Sequence, residues 1–397
     1  MTPPQPNAER RAPRTTFLPF SPPDIDETDI AAVADAMRSG WITTGPRVKQ
    51  LEGEFAAYVG AAGAAAFNSC TAALHTALLA IGAGPGDEVI TTPNTFCASV
   101  NVIEHVGATP VLVDVEADTL NIDPAQAVRA ITARTKAIIP VHFAGHPADL
   151  DPILAAAAER GITVLEDAAH ALAASYKGRR IGSGANPAAF SFYATKNLTT
   201  GEGGMLTGGA ELLDRARVAG LHGMSRDAWK RYDQGGSWFY EVVMPGFKYN
   251  MPDIQAALGL TQLAKLERLQ RRRREIVAMY DAAFGREPAL QIPARRPEVE
   301  HAWHLYALRL RPEALTIGRD DFIKEMTARR IGTSVHFIPV HLHPYYRDKY
   351  GFKPQSFPVA LANYERIFSI PLHPRLTDDE AADVIAAVLD IVARHRR

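Results

Sequence analysis

Short apolar runs alternate with longer stretches of helical periodicity along the first two thirds of the chain. The short runs predict buried β-strands, and the longer stretches predict helices between them. This alternation predicts a mostly parallel sheet covered by helices, whose ligands bind at the carboxyl ends of the strands. The predicted strands are 88–91, 110–113, 136–141, 163–165 and 188–192, and the predicted helices are 24–38, 71–81, 98–105, 124–131 and 149–160.

The pattern changes after Pro252, where a long helical stretch is predicted up to about Phe284. Its run Arg271–Arg274 indicates either a phosphate site or the solvated face of a helix. Strand and helix alternate again from about residue 301. We therefore predict an α/β protein in three parts, namely a flexible tail (1–17), a large domain (18–265) and a smaller α+β domain (266–397).

The composition of the chain mainly excludes certain partners and locations. With 43 basic and 44 acidic residues the formal net charge is −1, so no overall field favours nucleic acid or an anionic membrane as a partner. Two cysteines, Cys70 and Cys97, make no disulfide framework, and we expect a reducing cytoplasm. Residues 1–17 lack the apolar core of a signal peptide, and no run of about 18 apolar residues predicts a membrane span.

Two segments carry polar residues where a parallel sheet binds its ligands. Small polar residues open a predicted helix at Asn68–Leu74, where Thr71 is either an N-cap or part of an anion site. Glu166, Asp167 and His170 close an apolar strand. A buried carboxylate needs a partner, and Asp167 is either a helix cap or the partner of a protonated pyridine nitrogen.

The strongest chemical signal is Lys196. Aromatic residues of the segment Phe190–Tyr193 precede this lysine, and a glycine-rich turn, Gly201–Gly204, follows it. Lysines in loops are usually solvated, but apolar neighbours would lower the pKa of this amine, as Schiff-base chemistry requires. Ser191 lies five residues earlier, within reach of a phosphate on the same cofactor.

From about residue 18 to the C-terminus the chain resembles the DegT/DnrJ/EryC1/StrS family of nucleotide-sugar aminotransferases. These are pyridoxal 5′-phosphate (PLP) enzymes of fold type I, and the likeness is greatest to the subgroup that aminates UDP-4-keto-arabinose. The stretches that carry the resemblance are Asn68–Ala72, Gly107–Val111, Pro140–Gly145, Glu166–His170, Tyr176–Arg179, Gly246–Asn250 and Ala302–Leu305.

The resemblance implies roles at matching positions. Lys196 would hold PLP as an aldimine and shuttle protons, and Asp167 would pair with the pyridine nitrogen. His170 would lie beside the 3′-oxygen of the cofactor, where many members carry Gln. The other implied cofactor contacts are Phe96, stacked on the ring; Cys70, Thr71, Ala72 and Ser191, at the phosphate end; and Asn250, which would reach the partner subunit's cofactor in a homodimer with shared sites.

Substrate contacts are expected at Thr44 and Gly45, in the loop that resembles the mouth of the family's active site. His336 and His341 are further candidates from the smaller domain, although such histidines are more often structural or surface residues than ligand contacts. The segment Met224–Tyr240 is difficult to align, and in the family this region shapes the sugar pocket. The histidines lack metal-binding spacing such as HExxH, so no metal is predicted.

The implied reaction has two halves. L-Glutamate would leave as 2-oxoglutarate with the cofactor as pyridoxamine 5′-phosphate (PMP), and a nucleotide-linked keto sugar would then take the amino group. We expect ping-pong kinetics and amination at C-4, with a UDP- or TDP-4-keto-pentose as first choice and a TDP-4-keto-6-deoxyhexose as second. The alternatives are a PLP-dependent sugar dehydratase, in which histidine replaces the lysine, and a non-catalytic scaffold or binding protein. A nucleotide-dependent dehydrogenase is disfavoured, since no GxGxxG follows a strand.

Overall fold

The structure, a computed structural model, describes residues 14–224 and 240–397. Within these residues the strands are β1 (Ala64–Phe67), β2 (Glu88–Thr91), β3 (Thr109–Leu112), β4 (Thr135–Ile138), β5 (Thr163–Val164), β6 (Glu166–Asp167), β7 (Ser175–Tyr176), β8 (Arg179–Arg180), β9 (Ala188–Ser191), β10 (Gly204–Thr207), β11 (Leu290–Gln291), β12 (Val299–Glu300), β13 (Tyr306–Leu310) and β14 (Ile367–Ile370). The α-helices are α1 (Glu27–Arg38), α2 (Pro46–Val59), α3 (Cys70–Ala80), α4 (Ala98–His105), α5 (Pro124–Arg129), α6 (Asp151–Ala158), α7 (Ala210–Gly220), α8 (Asp253–Ala264), α9 (Leu266–Phe284), α10 (Arg319–Ala328), α11 (Pro344–Tyr350), α12 (Pro358–Tyr364) and α13 (Asp378–Arg394).

One large sheet organises the first two thirds of the chain. Its two halves have the strand orders β1–β10–β9–β6 and β3–β2–β4–β5. β5 and β6 are two stretches of one strand that passes through Leu165, so the halves are continuous. Neighbouring strands run parallel except where β10 pairs with β1 and β9. The predicted mostly parallel sheet is confirmed.

The antiparallel direction of β10 has a simple cause, and it also determines where Lys196 lies. β10 is antiparallel because the chain returns from β9 through residues 192–203 without the crossover that parallel strands require. Lys196 lies on this return connection, next to the carboxyl end of β9.

Helices cover both faces of the sheet. Alternate side chains along each strand point to opposite faces, so each strand packs against helices on both sides. Ala189 and Leu206 pack with residues of α3, α4 and α7. Phe190 and Met205 pack on the other face with residues of α2, α5, α6 and α8. The strands are buried on both faces, which explains why they are continuous apolar runs in the sequence.

Two helical predictions were wrong in detail. The sequence prediction omitted α2, although Pro46 opens this helix and Gly60 ends it with a left-handed φ of 80°. Its buried positions follow helical spacing: Val48, Leu51, Phe55 and Val59. The long helix predicted up to Phe284 is instead two helices, α8 and α9, because Lys265 leaves helical geometry (φ −101°, ψ 2°).

The smaller domain contains an antiparallel sheet of order β11–β13–β14. Its apolar core includes residues from the second half of α9 and from α10 and α13. Leu18 is buried in this core, and its N–H donates to the carbonyl of Arg330 at 2.8 Å. Arg14, placed in the expected tail, forms an ion pair of 2.7 Å with Asp383 on α13. The segment at residues 14–18 therefore packs on the smaller domain, and the domain division itself stays a prediction.

The arginine run on α9 is neither one phosphate site nor one solvated face. Arg273 is buried, and its Nη1 donates to the carbonyl of Leu372 at 2.8 Å. Arg272 pairs with Asp378 at 2.7 Å, whereas Arg271 is exposed. The buried Arg273 fastens α9 to the segment that follows β14. Of the helices in the described part of the chain, none has the length and apolar character needed to cross a membrane.

Candidate active site

Lys196 lies at the centre of the candidate site. Its backbone N–H donates to the carbonyl of Tyr193 at 2.9 Å, which holds the β9–β10 connection in a tight turn. Burial lowers the pKa of the Lys196 amine to about 8, although electrostatic interactions with Cys70 and Asp167 oppose the shift. About a tenth of the amine is therefore neutral and nucleophilic at pH 7, far more than for an ordinary lysine.

Asp167 ends β6 with its carboxylate buried on the side of the sheet that carries Lys196. One oxygen, Oδ2, accepts a hydrogen bond of 2.6 Å from the hydroxyl of Ser99. The other, Oδ1, accepts the backbone N–H of Ala169 at 3.1 Å. Sequence reasoning did not identify Ser99, because this contact joins residues 68 positions apart.

The neighbouring carboxylate, Glu166, has a different partner. Successive residues of a strand point to opposite faces, and Glu166 contacts His142 through an Oε2–Nε2 distance of 3.0 Å. The Nδ1 atom of His142 accepts the N–H of Ala148 at 3.0 Å, so Nε2 carries the proton and donates to Glu166. Only Asp167 is therefore directed towards the lysine.

His170 lies on the loop that follows β6, and its ring is buried. Its Nδ1 accepts the backbone N–H of Ala144 at 3.2 Å. Burial, and secondly the charge on Lys196, hold the pKa of His170 well below its usual range, so the ring is neutral. A neutral ring that accepts at Nδ1 carries its proton on Nε2, and His170 presents an N–H donor.

A second histidine, His304, lies behind His170 with ring centroids 4.3 Å apart. Its Nδ1 is 3.2 Å from Oδ1 of Asn197, the residue after the lysine. Asn197 Nδ2 donates to the carbonyl of Ala302 at 2.8 Å, which fixes the amide so that its oxygen accepts from His304. The Ala302–Leu305 motif carried the family resemblance, but it did not reveal this contact.

The start of α3 has the geometry that an anion site requires. Its N-cap is Ser69, not Thr71, and the Ser69 hydroxyl accepts the N–H of Ala72 at 3.1 Å. The N–H groups of Cys70 and Thr71 have no acceptor within the helix, so they are oriented for a negative group. Ser191 ends β9, and its Oγ is 3.4 Å from the backbone N of Tyr193.

Cys70 contributes backbone rather than side chain to this end of the site. Its thiol is buried and donates to the carbonyl of Ala189 at 3.5 Å. Burial and the charge on Asp167 raise the pKa of this thiol well above its usual value. Gly204 approaches so closely that an added Cβ would lie 2.5 Å from the nitrogen of Cys70. A glycine is therefore needed where β10 passes the start of α3.

Phe96 provides an open aromatic face. It is 61% exposed, although it lies between the buried Thr95 and the start of α4. Its nearest aromatic neighbour is Phe337 of the smaller domain, with ring centroids 6.1 Å apart. Phe337 also stacks on His170 at 5.7 Å. An exposed ring held by buried neighbours can stack on a flat ligand.

Three of the residues predicted at or near the mouth of the site lie close together. Asn250 Nδ2 donates to the hydroxyl of Thr44 at 2.7 Å, and this hydroxyl donates to the carbonyl of Met251 at 2.6 Å. Gly45 is the N-cap of α2, and a Cβ there would meet the indole of Trp41 at 1.9 Å. These contacts join the loop before α2 to the segment before α8.

The two histidines predicted as substrate contacts from the smaller domain have different surroundings. His336 Nδ1 is 2.9 Å from the hydroxyl of Ser369, and burial together with the charge on Lys196 lowers the pKa of His336 to about 4. This histidine therefore belongs to the surroundings of the lysine. His341 is fully buried, and its Nε2 is 3.0 Å from the carbonyl of Pro354. The structure thus gives His341 the contacts of a core residue.

The segment Met224–Tyr240 lies almost wholly outside the described residues, which include only its two ends. Its aromatic side chains Trp229, Tyr232, Trp238 and Phe239 therefore have no structural account. Across residues 14–224 and 240–397, no group of three or more His, Cys, Asp or Glu side chains is arranged to hold a metal ion.

The site fits PLP on four observations. It has an amine of lowered pKa, a buried carboxylate, an open aromatic face and free N–H groups at a helix start. These groups suit an aldehyde, a pyridine nitrogen, a flat ring and a phosphate, respectively.

Comparison with known proteins agrees with this chemistry. Residues 23–389 match the DegT/DnrJ/EryC1/StrS aminotransferase family. The Bacillus subtilis spore coat polysaccharide biosynthesis protein SpsC is 54% identical over 381 residues, which cover 96% of this chain and 98% of SpsC. Spr1654 of Streptococcus pneumoniae, a candidate sugar aminotransferase solved in a PLP form, is 38% identical with a TM-score of 0.89 over 95% of this chain and 99% of its own.

A more distant structure has the same fold. PseC of Helicobacter pylori, an aminotransferase of pseudoaminic acid biosynthesis, is 28% identical with a TM-score of 0.88 over 96% of this chain and all of its own (100%). Fold and site therefore define a PLP-dependent sugar aminotransferase of fold type I. The chain belongs to the DegT/DnrJ/EryC1/StrS aminotransferase family.

Proposed function

We propose that this enzyme transfers the amino group of L-glutamate to C-4 of a keto sugar carried on a nucleoside diphosphate. The first substrate to test is a UDP- or TDP-4-keto-pentose, and the second is a TDP-4-keto-6-deoxyhexose. The observation that carries the proposal is the buried Lys196 amine, with its pKa of about 8, which interacts electrostatically with the buried Asp167 carboxylate. An amine and a carboxylate so arranged suit PLP-dependent amino transfer.

Two relatives support a sugar as amino acceptor. SpsC is named for spore coat polysaccharide biosynthesis, and PseC for pseudoaminic acid biosynthesis. SpsC shares 54% identity with this chain over nearly the full length of both, so we propose a product of similar use, an amino sugar for a surface polysaccharide. With few cysteines and such a substrate, we place the reaction in the cytoplasm.

When bound, PLP supplies an electron sink that stabilises negative charge at the carbon next to the transferred nitrogen. Lys196 would hold the cofactor and, once the amino donor has replaced it, its amine would move the proton that leaves Cα of the donor. Asp167 would keep a proton on the pyridine nitrogen. The Nε2–H of His170 would donate to the 3′-oxygen, and Phe96 would cover the ring face.

The phosphate end and the sugar end use different parts of the chain. The N–H of Thr71 at the start of α3 and the hydroxyl of Ser191 would hold the cofactor phosphate. His336, neutral because its pKa is lowered to about 4, would face the substrate from the smaller domain. Asn250 and Thr44 are joined by a hydrogen bond. We propose that both lie at the mouth of the site and that Asn250 completes the partner subunit's site in a homodimer.

Amination is favoured over the two alternatives. The sugar dehydratases that resemble this family carry histidine in place of the lysine, whereas this chain has Lys196. A non-catalytic scaffold would not need to retain both a lysine of lowered pKa and a buried carboxylate.

The test is a panel of keto sugars on UDP and TDP, incubated with enzyme, PLP and L-glutamate. We expect one of them to gain an amino group, seen by mass spectrometry, with one 2-oxoglutarate formed per amino sugar. Lys196→Ala is the control and should give no product. If every nucleotide sugar is returned unchanged while 2-oxoglutarate forms with simple keto acids, a nucleotide sugar is the wrong acceptor.

A further inference from the structure

We propose that Ser99, itself held by Thr95, is a positioning residue that fixes the Asp167 carboxylate for the cofactor's pyridine nitrogen. The inference rests on the role proposed above for Asp167. It adds that the segment at residues 95–99 controls two contacts with the same ring, the stacking of Phe96 on its face and the approach of Asp167 to its edge.

The contacts around the carboxylate leave it little freedom. Oδ2 accepts from Ser99 at 2.6 Å and Oδ1 accepts from the Ala169 N–H at 3.1 Å, so each oxygen has its own donor. The first donor comes from α4 and the second from the loop after β6. Thr95, Ser99 and Asp167 are all buried, so water does not replace a lost donor at low cost.

The direction of the hydrogen bonds follows from counting protons. A serine hydroxyl has one proton, and an ionised carboxylate only accepts, so Ser99 gives its proton to Asp167. Ser99 Oγ is also 2.8 Å from Oγ1 of Thr95. Thr95 must therefore be the donor in that pair. The chain of donation runs from Thr95 to Ser99 to Asp167.

The same short segment holds the aromatic face. Phe96 directly follows Thr95, and the carbonyl of Phe96 accepts the N–H of Ser99 at 3.2 Å. Rotation of the Ser99 side chain away from Asp167 would leave a buried carboxylate short of a donor. The positions of the Phe96 ring and of Asp167 are thereby coupled through one residue.

The Ser99 hydroxyl has two local contacts, with Oγ1 of Thr95 at 2.8 Å and with the carbonyl of Phe96 at 3.4 Å, but its shortest contact is not local. Serines near a helix start usually cap it, but Ser99 is the second residue of α4, whose N-cap, Cys97, makes no side-chain cap. The short contact of Ser99 is with Asp167, 68 residues along the chain. A hydrogen bond to a charged acceptor is also stronger than one between neutral groups.

The experiment compares Ser99→Ala and Ser99→Cys, which lose the good donor, with Ser99→Thr, which keeps a hydroxyl. Apo protein is titrated with PLP, and the affinity and the pH titration of the visible band are recorded. We expect the Kd for PLP to rise about tenfold in Ser99→Ala and Ser99→Cys, equivalent to about 1.4 kcal/mol. Ser99→Thr should recover most of the affinity, and Thr95→Val should show a smaller loss.

The spectrum separates positioning from simple destabilisation. With one donor lost, Asp167 competes better for the proton of the pyridine nitrogen, so the ring loses positive charge. We expect the midpoint of the pH titration of the visible band to move upward by about half a pH unit in Ser99→Cys. A merely structural role would change the melting temperature of the apo protein without moving this midpoint.

Asp167→Asn distinguishes the two levels of the proposal. Normal PLP affinity and an unmoved midpoint in folded Ser99→Cys, with both impaired in Asp167→Asn, would overturn the inference about Ser99 and leave the proposed function intact. No effect of Asp167→Asn would overturn the assignment of Asp167 itself. If Ser99→Ala does not fold, Ser99→Cys and Thr95→Val decide the question.

Discussion

The Nδ1 atom of His170 accepts a hydrogen bond of 3.2 Å from the backbone N–H of Ala144. Ala144 has a left-handed φ of 58°, in the short 3₁₀ turn Phe143–Gly145 that follows the carboxyl end of β4. Gly145 is needed next to it, because a Cβ there would lie 2.8 Å from the carbonyl oxygen of His170. The strained turn Phe143–Gly145, which follows β4, thus fixes the tautomer of His170, which lies on the loop after β6.

This relationship predicts what can replace His170. Glutamine offers an N–H donor on a side chain of similar reach, so His170→Gln should keep kcat/KM within about tenfold of the native value. His170→Leu keeps the bulk but has no donor, and we expect a loss of about 100-fold, since a hydrogen bond to a charged group contributes about 1.5–3 kcal/mol. Steady-state kinetics with the amino donor measure both. Equal losses in the two variants would contradict the donor role.

The lowered pKa of Lys196 predicts the pH dependence of cofactor capture. Only the neutral amine attacks an aldehyde, so the rate constant for covalent PLP binding should rise about tenfold per pH unit below the pKa and level off above it. With a pKa of about 8, the plateau should begin soon above pH 8. Stopped-flow absorption of apo enzyme mixed with PLP gives this profile. A rate that still climbs above pH 10 would indicate an ordinary solvated lysine.

Gly204→Ala tests the close approach at the phosphate end. Its Cβ would lie 2.4 Å from the carbonyl carbon of Ser69, so the start of α3 must shift, and both stability and PLP affinity should fall. Gly53→Ala is the matched control, because an added Cβ on α2 meets nothing within 4 Å. It should be neutral or stabilising by up to about 1 kcal/mol. Thermal unfolding and PLP titration report on both; normal PLP affinity in Gly204→Ala would place the phosphate elsewhere.

A mixture of two inactive variants tests the shared site. If Asn250 serves the partner's cofactor, a hybrid of Lys196→Ala and Asn250→Ala subunits contains one intact site. Random exchange of subunits should then restore about a quarter of native activity, because half of the dimers are hybrids with one of two sites intact. Should Asn250 act within its own subunit, no activity returns on mixing.

The elements predicted correctly from the sequence are those whose pattern is contained within a short stretch of the chain. Strand 88–91 and helix 98–105 have the predicted bounds. A buried apolar run and a helical repeat can each be recognised from a few consecutive residues. The break at Lys265 was not predictable in this way. Its ammonium lies between Asp26 and Asp29, more than 200 residues away, and the helical repeat on either side is uninterrupted.

The same distinction holds at the site. Lys196 and Asp167 were identifiable because each ends or follows a strand and carries a motif. Ser99 was not, since its role depends on a carboxylate in another motif. His341 resembles a site residue in the sequence, yet it is buried with Pro354 as its partner. Whether such a residue belongs to the site depends on the direction of its side chain. That direction is set by packing in the fold and cannot be read from the spacing of residues in the sequence.

The most direct test of the account is the visible absorption spectrum of the purified protein with PLP, before and after L-glutamate, with Lys196→Ala in parallel. We predict a visible band of the lysine-bound cofactor that fades with L-glutamate and returns when a nucleotide-linked keto sugar is added. The variant should show no such band. A native protein that forms no band with PLP, or a variant that behaves as the native protein does, would contradict the role of Lys196.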